Sequence, residues 1–122
     1  MQFEREPASE THAIVGCADG EIRLLSGRYT ESLIVTRETV FEDWRPPPLE
    51  ALAIEDFAPL LGHPPDVLLL GTGRAQRIPA PALYAAFAAR GIGLEAMDNR
   101  AACRTFNLLL AEYRNVAVAL LL

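Results

Sequence analysis

The 122-residue chain contains no lysine, so all 11 of its cationic side chains are arginine. That absence excludes Schiff-base chemistry, a pyridoxal phosphate linkage, a lysine general base and the phosphate-gripping lysine of a Walker loop. Positive charge is also scarce: 16 carboxylates against 11 arginines leave a formal charge of −5. Sequence-independent binding to nucleic acid needs a basic footprint, and this balance argues against it. Two cysteines and two histidines leave little material for a metal centre. Cys17 and Cys103 are far apart in the chain, and neither has a Cys or His at ligand spacing, so no metal and no cofactor is expected. Long apolar runs are missing too. The run Val116 to Leu122 is far short of a membrane span. The polar, acidic opening Met1-Gln2-Phe3-Glu4-Arg5-Glu6-Pro7 has neither an apolar signal core nor an Arg-rich transit pattern. The expectation is a cytoplasmic protein with reduced thiols.

What is present is a folding sequence, 51% hydrophobic. A chain of this length is expected to form one domain over residues 1–122 that buries roughly two-thirds of its unfolded surface. Residues 1–12 are polar and read as an irregular edge. Asp19-Gly20, set between apolar stretches, predicts a hairpin, and Ser26-Gly27-Arg28-Tyr29 a second turn. With the strand-type residues of 32–36 and 39–41, the first third reads as an antiparallel β meander. Trp44-Arg45-Pro46-Pro47-Pro48 then holds the chain extended. Trp44 is either a core plug or an exposed anchor for a partner.

A short helix is predicted over Ile54–Leu61, stopped by Gly62-His63-Pro64-Pro65. Asp66 to Gly71 is an apolar run ended by glycine, as for a strand covered on both faces. Pro81–Arg90 reads as a helix with Gly91 as its stop, and 93–97 as a strand. A helix from Asp98 or Asn99 to about Tyr113 precedes a last strand over 115–122. The order β-α-β-α-β implies parallel strands with right-handed crossovers. The fold class is therefore α/β with an antiparallel section.

Open α/β sheets bind ligands beyond the carboxyl ends of their strands, which directs attention to Gly71-Thr72-Gly73-Arg74. The glycines permit close backbone approach, Thr72 offers a hydroxyl and Arg74 can pair with an anion. The third glycine of a dinucleotide fingerprint is missing, so a tight turn leaving the strand is the competing reading. At 100° per residue, Arg100, Arg104, Asn107, Ala111 and Arg114 share one polar stripe of the last helix, opposite Ala102, Phe106, Leu109 and Tyr113. That stripe is a solvated face, a docking surface for an acidic partner, or half of an anion pocket with Gly71–Arg74. Asp98 is expected to cap the helix. Cys103 is the one candidate reactive thiol. It sits past the helix start, and neither His12 nor His63 is placed to serve as its base, so packing is the favoured role.

Leu69-Leu70-Gly71-Thr72-Gly73, Ile78-Pro79, Gly91-Ile92-Gly93-Leu94-Glu95-Ala96-Met97-Asp98 and above all Ala101-Ala102-Cys103-Arg104-Thr105-Phe106-Asn107 resemble a small uncharacterised α/β family. Its animal members include a mitochondrial NADH dehydrogenase (complex I) assembly factor and an adipogenesis-associated protein. The resemblance implies a three-layer α/β domain with a mixed sheet and no established catalytic activity. Two positions depart from the family pattern: Asn99 stands where Thr is commoner, and Tyr113 where Gly commonly precedes the arginine. The second departure predicts a differently capped helix end. The functional expectation is a non-enzymatic interaction protein with an unidentified protein partner, assisting assembly of a larger complex. A small anionic ligand at Gly71, Thr72, Gly73, Arg74, Arg104 and Asn107 is the alternative. A strand edge of the meander offers a route to a homodimer, and no nucleic-acid partner or membrane span is expected.

Overall fold

The computed structural model describes residues 12–122. The expectation for residues 1–12 therefore lies outside the described residues, His12 apart. Five strands open the chain: β1 (Ile14–Ala18), β2 (Glu21–Leu24), β3 (Gly27–Tyr29), β4 (Leu33–Thr36) and β5 (Val40–Phe41). Gly20, at φ 70°, makes the β1–β2 turn, which explains the force of the Asp-Gly signal. The strands are antiparallel as expected, but they do not form one meander. β1-β2-β3 is a sheet of its own, whereas β4 and β5 join the main sheet, ordered β5, β4, β8 (Val116–Leu120), β6 (Val67–Gly71), β7 (Gly93–Met97).

The rest of that sheet comes from β6 (Val67–Gly71), β7 (Gly93–Met97) and β8 (Val116–Leu120). β6 is central and pairs in parallel with both β7 and β8, while β4 runs antiparallel to β8. Leu68, Leu69 and Leu70 are almost fully buried, so the apolar run is covered on both faces. Between the parallel strands run α2 (Pro81–Ala88) and α3 (Asn99–Ala111). The predicted helix 54–61 is split: Ile54–Phe57 is a 3-10 turn and only α1 (Ala58–Leu61) is α-helical. The break coincides with Pro59, which has no N–H and is tolerated only in the first helical turn.

Two apolar clusters sandwich the main sheet. One collects Trp44, Phe57, Leu60, Leu83 and Phe87 against Leu68, Leu70 and Ala119. Trp44 is a core plug: it is 6% exposed. Its indole Nε1 donates to the Asp56 carbonyl at 2.7 Å. Phe57 lies 5.4 Å from Trp44 and 5.0 Å from Phe87, centroid to centroid. The other cluster packs α3 and the small sheet onto the opposite face through Ala102, Cys103, Phe106, Leu110, Ile22 and Leu24. The result is three layers.

α3 explains most of the site geometry. Asp98 caps it as expected, its Oδ1 accepting from the Ala101 N–H at 2.9 Å. Its core face is Ala102, Cys103, Phe106 and Leu110, with Arg100, Arg104 and Leu108 exposed on the other side. Tyr113 is not core-facing. The helix ends at Ala111, and Tyr113 stands outside it, 75% exposed, at φ 60°. The Arg114 N–H reaches the Leu109 carbonyl at 2.9 Å and the Tyr113 N–H the Leu110 carbonyl at 2.9 Å. This is the Schellman closure in which a left-handed residue, usually glycine, follows the cap. The end is thus capped in the ordinary way, with tyrosine in a glycine-type position. Among the described residues no helix is long and apolar enough to cross a membrane.

Candidate functional site

The carboxyl ends of β6, β7 and β8 lie side by side, because the three strands are parallel and in register from Val67/Gly93/Val116 to Gly71/Met97/Leu120. Above them a cavity of ≈ 530 Å³ is walled by the β1–β2 turn (Cys17 to Gly20), Gly73 and Arg74, the start of α3 (Asp98 to Arg100) and Leu121–Leu122. A shallower groove of ≈ 260 Å³ continues between β1 and α3, lined by Ile14 to Cys17, Arg100, Cys103, Arg104 and Asn107. Cys17 and Arg100 belong to both.

The six residues expected to form one anion pocket are therefore distributed. Gly73 and Arg74 line the cavity, and Arg104 and Asn107 line the groove. Gly71 and Thr72 are buried behind them. Thr72 directs its hydroxyl inward: it donates to the Ala75 carbonyl at 2.7 Å and accepts from the Arg77 N–H at 3.0 Å. It shapes the loop after β6. Gly71 is required by close packing, since a Cβ there would meet the Asn99 amide oxygen and Leu120 Cδ2. Asn107 leaves the arginine stripe altogether. Its amide accepts from the Ile14 N–H and donates to the Ile14 carbonyl, both at 2.8 Å, occupying the open edge of β1 as a neighbouring strand would.

Asn99, one of the two family departures, is the residue that gathers the site. It is 8% exposed. Its Oδ1 accepts from the Gly73 N–H and its Nδ2 donates to the Leu121 carbonyl, each at 3.0 Å. Its own N–H reaches the Gly73 carbonyl at 2.8 Å. One side chain thus joins the loop after β6 to the tail after β8. Only its position directly after an N-cap, at a strand's carboxyl end, could have singled it out in the sequence.

Charge at the rim is simple. Arg74 pairs with Asp19 at 3.3 Å, both largely exposed, a contact worth ~0–1 kcal/mol. Arg100 and Arg104 are exposed and successive along α3, and among the described residues neither has a carboxylate within bridging distance. Val15 (52% exposed) and Leu108 (58%) flank them. Cys103 is buried at 4% exposure. Burial first of all, and then the neighbouring Cys17, push its thiol up from the ordinary value, while the Arg104 cation works against the rise. Such a thiol is a poor nucleophile near neutral pH. Among the described residues no group of three or more His, Cys, Asp or Glu side chains is placed to hold a metal ion.

Comparison with known proteins gives a consistent picture. A family model described as "Protein of unknown function (DUF498/DUF598)" matches residues 14–121. An NMR structure from Xanthomonas campestris is 38% identical, with a TM-score of 0.83 over 99% of this chain and 92% of that one. A Bordetella pertussis protein described as an Mth938-like domain is 29% identical, with a TM-score of 0.76 over 99% and 92% of the two chains. The "13 kDa major membrane protein" of Francisella tularensis is 29% identical over 99 residues, 80% of each chain.

Proposed function

The chain belongs to the DUF498/DUF598 family of proteins of unknown function, and from that footing we propose that it is a non-catalytic interaction domain. Its recognition face is the exposed side of α3 with the adjoining groove, and it docks an acidic segment of a protein partner during assembly of a larger complex. One observation carries this reading: the polar groups of the site are already spent internally, and what faces outward is two arginines between apolar side chains. Thr72, Asn99 and Asn107 are bonded to the chain itself. Asp98 is spent on its helix. Arg100 and Arg104, with Val15 and Leu108, remain. Arginine beside apolar surface is characteristic of protein interfaces, where its planar fork grips carboxylates in pairs.

The test is capture of partners from the native host, using soluble extract and, in view of the Francisella relative's name, detergent-solubilised membranes. Expected is a partner retained by the native chain and lost on double charge reversal, Arg100→Glu with Arg104→Glu. Elution as an isolated monomer at every salt concentration, or a partner indifferent to the reversal, defeats the proposal. Sedimentation of the purified chain separates out a homodimer.

A second reading rests on the cavity's place beyond three parallel strand ends, where α/β sheets bind ligands. There Gly73, Arg74 and Arg100 would receive a small anion. Thermal-shift screening against nucleotides, phosphates and acyl carriers tests it. A stabilisation that survives Arg74→Ala with Arg100→Ala, or no stabilisation at all, removes it.

A further inference from the structure

Cys17 and Cys103 stand at opposite ends of the sequence, yet the fold sets them against each other in the groove between β1 and α3. Cys17 packs against the apolar cluster that holds Cys103. Both are free. The backbone is held firmly around the pair: one helical turn beyond Cys103, Asn107 clamps β1 to α3 by two hydrogen bonds of 2.8 Å to Ile14. Cys17 opens to both cavity and groove, whereas Cys103 is enclosed behind it. Arg100 and Arg104 line the same groove. A half-open thiol backed by a second thiol, with cations close by, is the arrangement of an attacking and a resolving cysteine.

We infer that Cys17 and Cys103 form an oxidisable pair, a modification site in which a hydroperoxide converts the two thiols to an intramolecular disulfide joining β1 to α3. The Cys17 sulfur attacks the peroxide. An S–O bond forms, the O–O bond breaks and one water (or alcohol) leaves with the thiol proton, so that Cys17 becomes a sulfenic acid. The Cys103 sulfur then attacks the Cys17 sulfur. The S–S bond forms, the S–O bond breaks, and the hydroxyl leaves as a second water carrying the Cys103 proton. Two electrons pass from the thiol pair to the peroxide, and a dithiol reductant reverses the change. This inference does not depend on the docking proposal, although the bond would stiffen the groove's walls.

The experiment treats the native full chain with hydrogen peroxide, followed by non-reducing peptide mapping and thiol titration. Expected is a monomer lighter by two hydrogens, with both thiols lost together, the Cys17 and Cys103 peptides cross-linked, and full recovery with dithiothreitol. In Cys103→Ser the reaction should stop at a Cys17 sulfenic acid that dimedone traps. Should that variant fail to fold, Cys17→Ser is the second measurement, and there Cys103 should remain reduced. Sulfinic or sulfonic acid on Cys17 beside an intact Cys103 thiol, or a Cys17–Cys17 dimer as the main product, overturns the inference.

Discussion

Replacing Asn107 separates a structural role from a ligand-binding one. In the fold its amide makes both hydrogen bonds that a neighbouring strand would make to Ile14, each at 2.8 Å. Asn107→Ala removes both, leaving a partly buried N–H and carbonyl without partners. At about 1 kcal/mol for each bond, the loss is about 2 kcal/mol. Unfolding entropy of about 2.1 cal/mol/K per residue over 122 residues converts this to a fall in Tm of roughly 8 °C. Asn107→Asp is the sharper variant. Its carboxylate can still accept from the Ile14 N–H but sets a second oxygen against the Ile14 carbonyl, and the cost at neutral pH should match or exceed that of alanine. Protonation supplies the missing donor, so the folded state should hold that proton more tightly than the unfolded chain. The stability deficit of Asn107→Asp should therefore shrink as pH falls through the carboxylate range, about pH 4. Thermal and urea unfolding of the three proteins across pH measures this. A Tm for Asn107→Ala within about 1 °C of the native value would refute the clamp. So would a deficit for Asn107→Asp that does not change with pH.

Tyr113→Gly should stabilise the chain. Relief of a left-handed residue is worth about 1–2 kcal/mol. Against it stands loss of the exposed Arg37 guanidinium over the ring at 5.8 Å, about 0.5–1 kcal/mol. Tyr113→Ala, which loses the stacking without the relief, should be less stable than native in the same urea titration. Gly71→Ala should cost about 1–3 kcal/mol by pressing a methyl group onto Asn99 and Leu120; a melting curve superimposable on the native one would contradict it. The buried Cys103 thiol gives a pH dependence at the alkaline end. Above its ordinary value of 9.0 the unfolded chain releases a proton that the folded chain keeps. Stability should then fall with rising pH by up to about 1.4 kcal/mol per unit. Measured as the difference between native and Cys103→Ala, that slope should be present; a flat difference between about pH 8 and pH 10 would count against it.

Much of the architecture was legible because it depends on short-range physics. The Asp19-Gly20 turn follows from backbone sterics, the Asp98 cap from an unpaired N–H three residues on, and the central strand from an apolar run closed by Gly71. Where local rules stopped, the reading failed. A helical wheel carried to Tyr113 overruns α3, which ends two residues earlier at Ala111. The strand pattern predicts one β meander, because nothing in it tells β3 and β4 to part into two sheets.

The candidate site was legible only in outline. Topology directs attention beyond the strand ends, where Gly73 and Arg74 line the cavity, whereas Arg104 lies in the groove between β1 and α3. The roles of Thr72, Asn99 and Asn107 did not follow, because a polar side chain's function depends on which partner packing puts in reach, and its spacing along the chain carries no trace of that partner. Arginine without lysine, carboxylates in excess, the β-α-β-α-β order and the Asp98 cap at the start of α3 belong to the sequence alone, since each is settled within a few residues or by simple count. The parting of the two sheets, the clamp on β1, the outward pair Arg100 and Arg104 and the meeting of Cys17 with Cys103 belong to the tertiary structure. Those contacts join residues far apart in the chain, and only the packing of α3 and the small sheet on one face of the main sheet brings them together.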